Sequence, residues 1–227
     1  MATDHAWHPE PIDLAPEVVL LPGFDGDGAD PFLIPVNALL LGGSARLLVV
    51  PGVRRAPWTP ALTRLADQVR WIVSARPAPT ADVRLALARC RHAVTLDGPP
   101  PAAGHFALVD PPTVPVRSRA IHDTERRVLY SADGFGAPVL LPATDADDLD
   151  DAYWQHAASV HRRWAGIDAA RAAAVAALRV ELIVPAFGPV LHGRRRAAAL
   201  QATPLSPPCA TDAAYRARME ELLGGGC

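Results

Sequence analysis

The feature that most limits what this chain can fold into is a strand-to-helix corner over residues 69–82. Trp71-Ile72-Val73 is an apolar, largely β-branched run of the kind that fills a buried strand. A helical pattern opens at Val83 and continues through Leu85, Leu87 and Ala88. Between them lies a tight Pro-punctuated turn, Ser74-Ala75-Arg76-Pro77-Ala78-Pro79. A strand end that feeds a helix start belongs to α/β architecture, and such ends are where several side chains converge on one cleft. This corner carries almost no chemistry of its own.

The rest of the chain fits the same class. Its 227 residues, half of them apolar, suit one large domain with a sizeable core. Residues 1–16 are polar and Pro-rich and read as an N-terminal arm, ahead of a single domain over 17–227. A short strand is predicted at 17–21. Two apolar runs at 35–41 and 45–50, separated by Gly42-Gly43-Ser44, predict a hairpin. Leu62, Leu65, Ala66 and Val69 share one helix face and predict a helix over 58–69. Short strands follow at 92–96, 105–109, 117–121 and 127–130, the last two joined by a turn at 122–125. Helices are predicted at 153–164 and 169–178, a last buried strand at 182–184, and further helices at 194–200 and 212–223. Hairpin-linked strands first, then strands alternating with helices, fit two sheets packed together with helices outside.

Several function classes are disfavoured by composition and spacing. A formal charge of −2 does not call for nucleic acid or an acidic membrane as a partner. The triplet Arg194-Arg195-Arg196 lacks nearby aromatics and reads as a solvated face. Every basic residue is Arg. The apolar runs are far shorter than a membrane span, and the N-terminus has neither a basic nor an apolar signal region. Cys90, Cys209 and Cys227 are odd in number and widely spaced, which argues against a disulfide framework. A reducing cytoplasm is the expected setting. Asp25, Asp27 and Asp30 superficially resemble a calcium loop, but the third acid falls one place late and no bidentate Glu follows, so a turn is expected. Ser74, Ser131 and Ser159 lack a G-x-S-x-G elbow. Gly23 to Gly28 does not follow the dinucleotide-binding order of strand, glycines and helix. Neither Cys90 nor Cys209 has an evident His base beside it in the sequence.

Four stretches together resemble one family. Val36-Asn37-Ala38-Leu39-Leu40 with Leu47-Leu48-Val49-Val50-Pro51-Gly52 is similar to an "N-x-Y-L-I … L-I-D-T-G" opening. The 74–79 corner stands where H-x-[HE]-x-D-H would follow the strand. Leu129-Tyr130-Ser131-Ala132-Asp133-Gly134-Phe135-Gly136 is similar to "L-F-S-x-D-x-F-G". Ile183-Val184-Pro185-Ala186-Phe187-Gly188-Pro189 is similar to "I-x-P-x-H-G-P". These are signatures of the metallo-β-lactamase fold, and above all of its flavodiiron branch of di-iron, oxygen-binding domains. The resemblance implies a four-layer αββα sandwich of two mixed sheets, without the flavodoxin partner of that branch.

It also implies a dinuclear site, and there this chain departs. The Asp of the opening signature is absent, with Val50 or Pro51 in its place. The corner's ligand positions hold Ser74, Arg76, Ala78 and Pro79. A further His position falls on Thr113 or Val114, and the last on Phe187. The bridging carboxylate alone is kept, as Asp133. A guanidinium has no lone pair to offer a metal, so the family's centre cannot be assembled from these residues. The eight histidines, His5, His8, His92, His105, His122, His156, His161 and His192, show no zinc-type spacing and read as surface or cap residues. Of these, His192 follows the last corner and is placed to approach the cleft.

If the fold's geometry is kept, Arg76 stands opposite Asp133 and pairs with it in place of the metals; if the corner has relaxed, Arg76 faces solvent. The cleft candidates are therefore Ser74, Arg76, Asp133 and Phe187, with no catalytic residue assigned and no cofactor expected. The first functional reading is a non-catalytic binding, structural or regulatory protein. The second is a metal-dependent hydrolase or di-iron oxidoreductase, with zinc or iron on unorthodox ligands. The third is a small-anion binder through Arg76. An unidentified protein or a small anion is the expected partner, with a homo-oligomer open and neither nucleic acid nor membrane expected.

Overall fold

The computed structural model describes residues 10–25, 34–43, 46–77, 80–97, 105–111, 113, 118–139, 145–201 and 208–223. In chain order the first strands are β1 (Ile12–Ala15), β2 (Val18–Leu21), β3 (Phe24–Asp25), β4 (Ile34–Pro35), β5 (Ala38–Leu41) and β6 (Arg46–Val50). They are followed by β7 (Val69–Ser74), β8 (Val94–Leu96), β9 (Phe106–Val109), β10 (Ala120–Asp123), β11 (Val128–Ala132) and β12 (Leu182–Pro185). The helices are α1 (Thr59–Leu62), α2 (Ala81–Arg89), α3 (Asp151–Ala165), α4 (Ala169–Ala176), α5 (Gly193–Leu200) and α6 (Ala210–Leu223).

Two mixed sheets result. One runs β1-β2-β5-β6-β7-β8 and the other β12-β11-β10-β9, with β3 and β4 forming a separate small ribbon. In the larger sheet β5 and β6 form the expected antiparallel hairpin, with Leu40 opposite Leu48. β6, β7 and β8 are then parallel. β2 and β5 are buried along their whole length and β6 over four of its five residues, which is why their sequences are continuous apolar runs rather than alternating ones.

The smaller sheet shows how a period of two builds layers. Ile121, Tyr130 and Val184, on adjacent strands, join the core shared with the larger sheet. Their chain neighbours Ala120, Leu129 and Ile183 point the other way and pack with Trp154 of α3, Val175 of α4 and Ala199 of α5. Two cores on opposite faces of one sheet make a layered α/β protein. α2 packs on β7 and contributes Val83 and Ala86 to the first core.

Three local expectations are corrected. Ile12–Ala15, assigned to the arm, pair antiparallel with β2 and begin the sheet. The single helix over 58–69 is divided into α1 and a 3-10 turn at Ala66–Gln68. Val69, counted on its apolar face, instead opens β7, where it is fully buried. His122 and Asp123 belong to β10 rather than to the turn, which is pinned when Asp123 Oδ1 accepts the Glu125 and Arg126 amides at 3.1 and 3.0 Å.

The end of the molecule that holds the corner is tied across both sheets by Asn37. Its amide donates to the carbonyls of Pro185 at 2.9 Å and Gly188 at 2.6 Å, and its own carbonyl accepts the Tyr130 hydroxyl at 2.8 Å. All three bonds are buried, where a hydrogen bond is hardest to replace with water.

Candidate functional site

The C-terminal ends of β7, β11 and β12 converge at one edge of the two sheets. β7 leaves its sheet at Ser74, opposite Val50, and the Ala75 amide still donates to the Val50 carbonyl at 2.8 Å. Ser74 Oγ then accepts the Arg76 amide at 3.2 Å and closes the turn. Arg76 stretches across the gap to the loop after β11. Its Nη2 donates to Asp133 Oδ1 at 2.6 Å, with side-chain exposures of 11% and 1%. Of the two alternatives open from the sequence, the paired arrangement is the one the chain adopts.

Both partners are held from behind. Gly52, at φ +81°, leaves the space across which the Arg76 stem runs: a Cβ there would stand 2.6 Å from Arg76 Cβ and 2.9 Å from Cγ and Cδ. A left-handed φ and a close approach together require glycine. Gly52 is itself fixed by Asp82, which is fully buried and accepts the amides of Gly52, Val53 and Val83 at 2.8, 3.0 and 2.9 Å. Burial pushes the Asp82 carboxyl upward from its ordinary pKa.

On the other side, the Asp133 carbonyl accepts His161 Nε2 at 2.7 Å, and His161 Nδ1 lies 2.5 Å from the Tyr215 hydroxyl. A carbonyl only accepts, so Nε2 carries the proton and Nδ1 accepts from the tyrosine; this tautomer follows from the bonding pattern. His161 and Tyr215 are fully buried. Burial drives the His161 pKa down to about 4, so the ring is neutral at pH 7. The β11 loop is wound tightly to reach these contacts: Ala132 and Phe135 both take positive φ, at 51° and 62°. Gly136 is pressed so closely against the Phe187 carbonyl and the His161 ring that a Cβ there would be 2.5 Å from His161 Cε1.

Of the four cleft candidates, Ser74, Arg76 and Asp133 are thus joined in one hydrogen-bonded chain. Phe187 is fully buried, and its ring meets the edge of Trp164 with centroids 6.5 Å apart. Thr113 is also fully buried, with its hydroxyl unpartnered. Ala78, Pro79 and Val114 lie outside the described residues, as do Asp27 and Asp30 of the acidic loop, His5, His8 and Cys227. Asp25 of that loop is 2.8 Å from Arg218 Nε.

His161 is the site residue that sequence reasoning missed. By spacing it reads as a surface or cap histidine, yet it lies on the face of α3 that buries Trp154, Ala157 and Ala165. That helical spacing was the available signal. His122 is likewise buried rather than exposed, and burial lowers its pKa. Cys209 does have a histidine beside it, with its Sγ 3.8 Å from His156 Nε2, whereas Cys90 is buried and its thiol is pushed up to about 11.

His192 does not enter the cleft. It sits 2.6 Å from Asp145 and 3.5 Å from Asp147, and the hydrogen bond that its Nε2 donates to the Asp145 carboxylate raises its pKa. Among the described residues this trio is the grouping whose possible ligand atoms all lie within 4.8 Å of one another. Arg195, expected on a solvated face, is only 4% exposed and lies 3.6 Å from Asp147 and 2.7 Å from Asp151. Among the described residues no helix is long and apolar enough to cross a membrane.

No family model matches the sequence, and no curated protein does either. Solved structures do match. The flavodiiron protein of Giardia intestinalis superposes with a TM-score of 0.62 at 14% identity, over 85% of this chain and 58% of that one. The rubredoxin oxygen:oxidoreductase of Desulfovibrio gigas gives 0.63 at 13% identity, over 85% and 60%. A fragment of a protein described as a diflavin flavoprotein from Nostoc gives 0.61 at 13% identity, over 93% of this chain and 97% of the fragment. The chain therefore spans little more than half the length of the first two proteins, and nearly all of the third. At such identities the likeness is one of architecture. The chain has the metallo-β-lactamase-like fold found in flavodiiron proteins.

Proposed function

We propose that this chain works without a dinuclear metal centre, as a non-catalytic binding, structural or regulatory protein built on a metallo-β-lactamase-like scaffold. The observation that carries the reading is the part-buried pair of Arg76 with the fully buried Asp133. A centre of two ions needs several nitrogen and oxygen donors on each. Among the described residues, the ligand positions hold one carboxylate with an oxygen already committed to a guanidinium, a serine hydroxyl already accepting a backbone amide, a threonine hydroxyl and a phenyl ring. This donor set does not fit such a centre, and the positive charge of Arg76 opposes any cation brought next to it.

The oxygen:oxidoreductase activity in the name of the Desulfovibrio protein belongs to that protein. A metal-dependent reading would have to turn to Asp145, Asp147 and His192, but His192 already bonds Asp145, and Asp147 lies near Arg194 and Arg195. A small-anion reading would require Arg76 to give up its carboxylate.

Metal independence has a direct thermodynamic consequence. A ligand that binds only the folded state raises the melting temperature. Dialysis against a strong chelator is therefore expected to leave Tm unchanged, and added Zn²⁺ or Fe²⁺ is expected not to raise it. A chelator-induced fall of roughly 5–10 °C, the size given by a site filled at about a hundred times its dissociation constant, would contradict the reading.

A further inference from the structure

We infer that the cleft is a built slot for a planar guanidinium cation, and that Arg76 is its permanently tethered occupant. The inference rests on the metal-free reading above and goes on to name what the slot recognises. Three features shape it. Asp133 supplies a carboxylate at 1% exposure, where an unpaired charge is costly. Gly52 supplies the bare floor over which the side chain runs. Ser74 and His161 fix the two backbones from which Arg76 and Asp133 project, through the Arg76 amide and the Asp133 carbonyl.

The fit also has a specific defect. Arg76 Nη2 meets Asp133 Oδ1, while Arg76 Nε and Asp133 Oδ2 are both buried and unpartnered. Arginine and carboxylate commonly meet through two parallel bonds. Here the tether delivers one of them and leaves one donor and one acceptor without a partner. A free guanidinium of the same shape, not bound to the corner by a side-chain stem, can turn to make both. The slot therefore selects a planar cation with two adjacent N–H donors over a spherical ion, for which one free carboxylate oxygen is too few ligands.

The test is chemical rescue. Arg76→Ala is expected to lower Tm by roughly 10 °C, because it strands a buried carboxylate. Methylguanidinium at about ten times its dissociation constant should then raise the Tm of Arg76→Ala by roughly 3–6 °C. It should raise neither the wild type, whose slot is filled, nor Arg76→Ala/Asp133→Asn, whose acceptor has lost its charge. Tetramethylammonium at equal ionic strength should do nothing. No rise in Arg76→Ala, or an equal rise in the wild type, would overturn the inference. If Arg76→Ala does not fold, Arg76→Met/Asp133→Asn decides: it should fold where Arg76→Met alone does not, and failure of both alike would count against the slot. Metal uptake by the wild type would sink the metal-free reading by itself, whereas an unresponsive Arg76→Ala would sink only the slot.

Discussion

Acidification from pH 6.5 to about 4 is expected to remove about 3 kcal/mol of folding stability through His161 alone. The ring is held neutral in the folded protein by burial, down to about pH 4, whereas in the unfolded chain it protonates near 6.5. A folded pKa below the unfolded one means that the unfolded state binds the proton first as pH falls. The contribution is therefore fully present above about pH 6.5, declines through the interval, and is exhausted below about 4. Each tenfold difference in proton affinity is worth about 1.4 kcal/mol, which gives the size.

The geometry explains why the cost is real: a proton on Nδ1 would turn the acceptor of the Tyr215 hydroxyl into a second donor and place a charge among Trp164, Tyr215 and Phe187. His122 shifts in the same direction through burial, so the wild-type slope alone is not diagnostic. His161→Gln retains a donor and an acceptor but does not titrate. Urea midpoints of the two proteins at pH 7 and pH 4.5 should show the variant losing less stability than the wild type. Equal losses would show that His161 is not the acid-sensitive group.

Replacing Asp82 with Ala is expected to cost about 3–5 kcal/mol, the largest single-residue loss outside the ion pair. The carboxylate is fully buried and accepts amides from Gly52 and Val53 at the end of β6 as well as Val83 at the start of α2. Each buried amide left without an acceptor costs about 1–3 kcal/mol. The loss reaches the cleft, because Gly52 is the floor under the Arg76 stem. Asp82→Asn keeps one carbonyl oxygen with two lone pairs and should lose less, about 1–2 kcal/mol. Chemical denaturation of both variants checks the ranking. An Asp82→Ala loss below about 1 kcal/mol would show that the corner is not held from this side.

The parts of the fold that could be read from sequence are those set by periodicity. β2, β5, β6, β7 and β12 are apolar runs long enough to need a buried sheet, and the Gly-rich break between β5 and β6 fixes their hairpin. The Arg76–Asp133 pair was legible only through the family resemblance, as one of two arrangements, because nothing in the sequence itself decides between a guanidinium turned to Asp133 and one turned to solvent. What was not legible depends on distant partners. Nothing local marks Ile12–Ala15 as a strand until β2 is there to pair with it. Arg195 looks like one of three solvated cations, and is buried because the Ala146 carbonyl, 49 residues away, and Asp151, 44 residues away, meet it. His161 differs from a surface histidine only by the helix face it occupies, and its partner Tyr215 comes from α6, 54 residues on. The break between α1 and the following 3-10 turn was hidden for another reason: one apolar spacing served a helix and then the first residue of a strand.

A scaffold matched by flavodiiron proteins, with a guanidinium paired to the Asp133 carboxylate, makes metal content the decisive quantity. The protein should be expressed without an affinity tag in medium supplemented with iron and zinc, purified without chelator, and analysed for bound metal by elemental mass spectrometry. Well below one equivalent of any transition metal per chain is the expected result. A content near two equivalents of iron or zinc, which Arg76→Ala or Asp133→Asn then changes, would contradict the account at its centre.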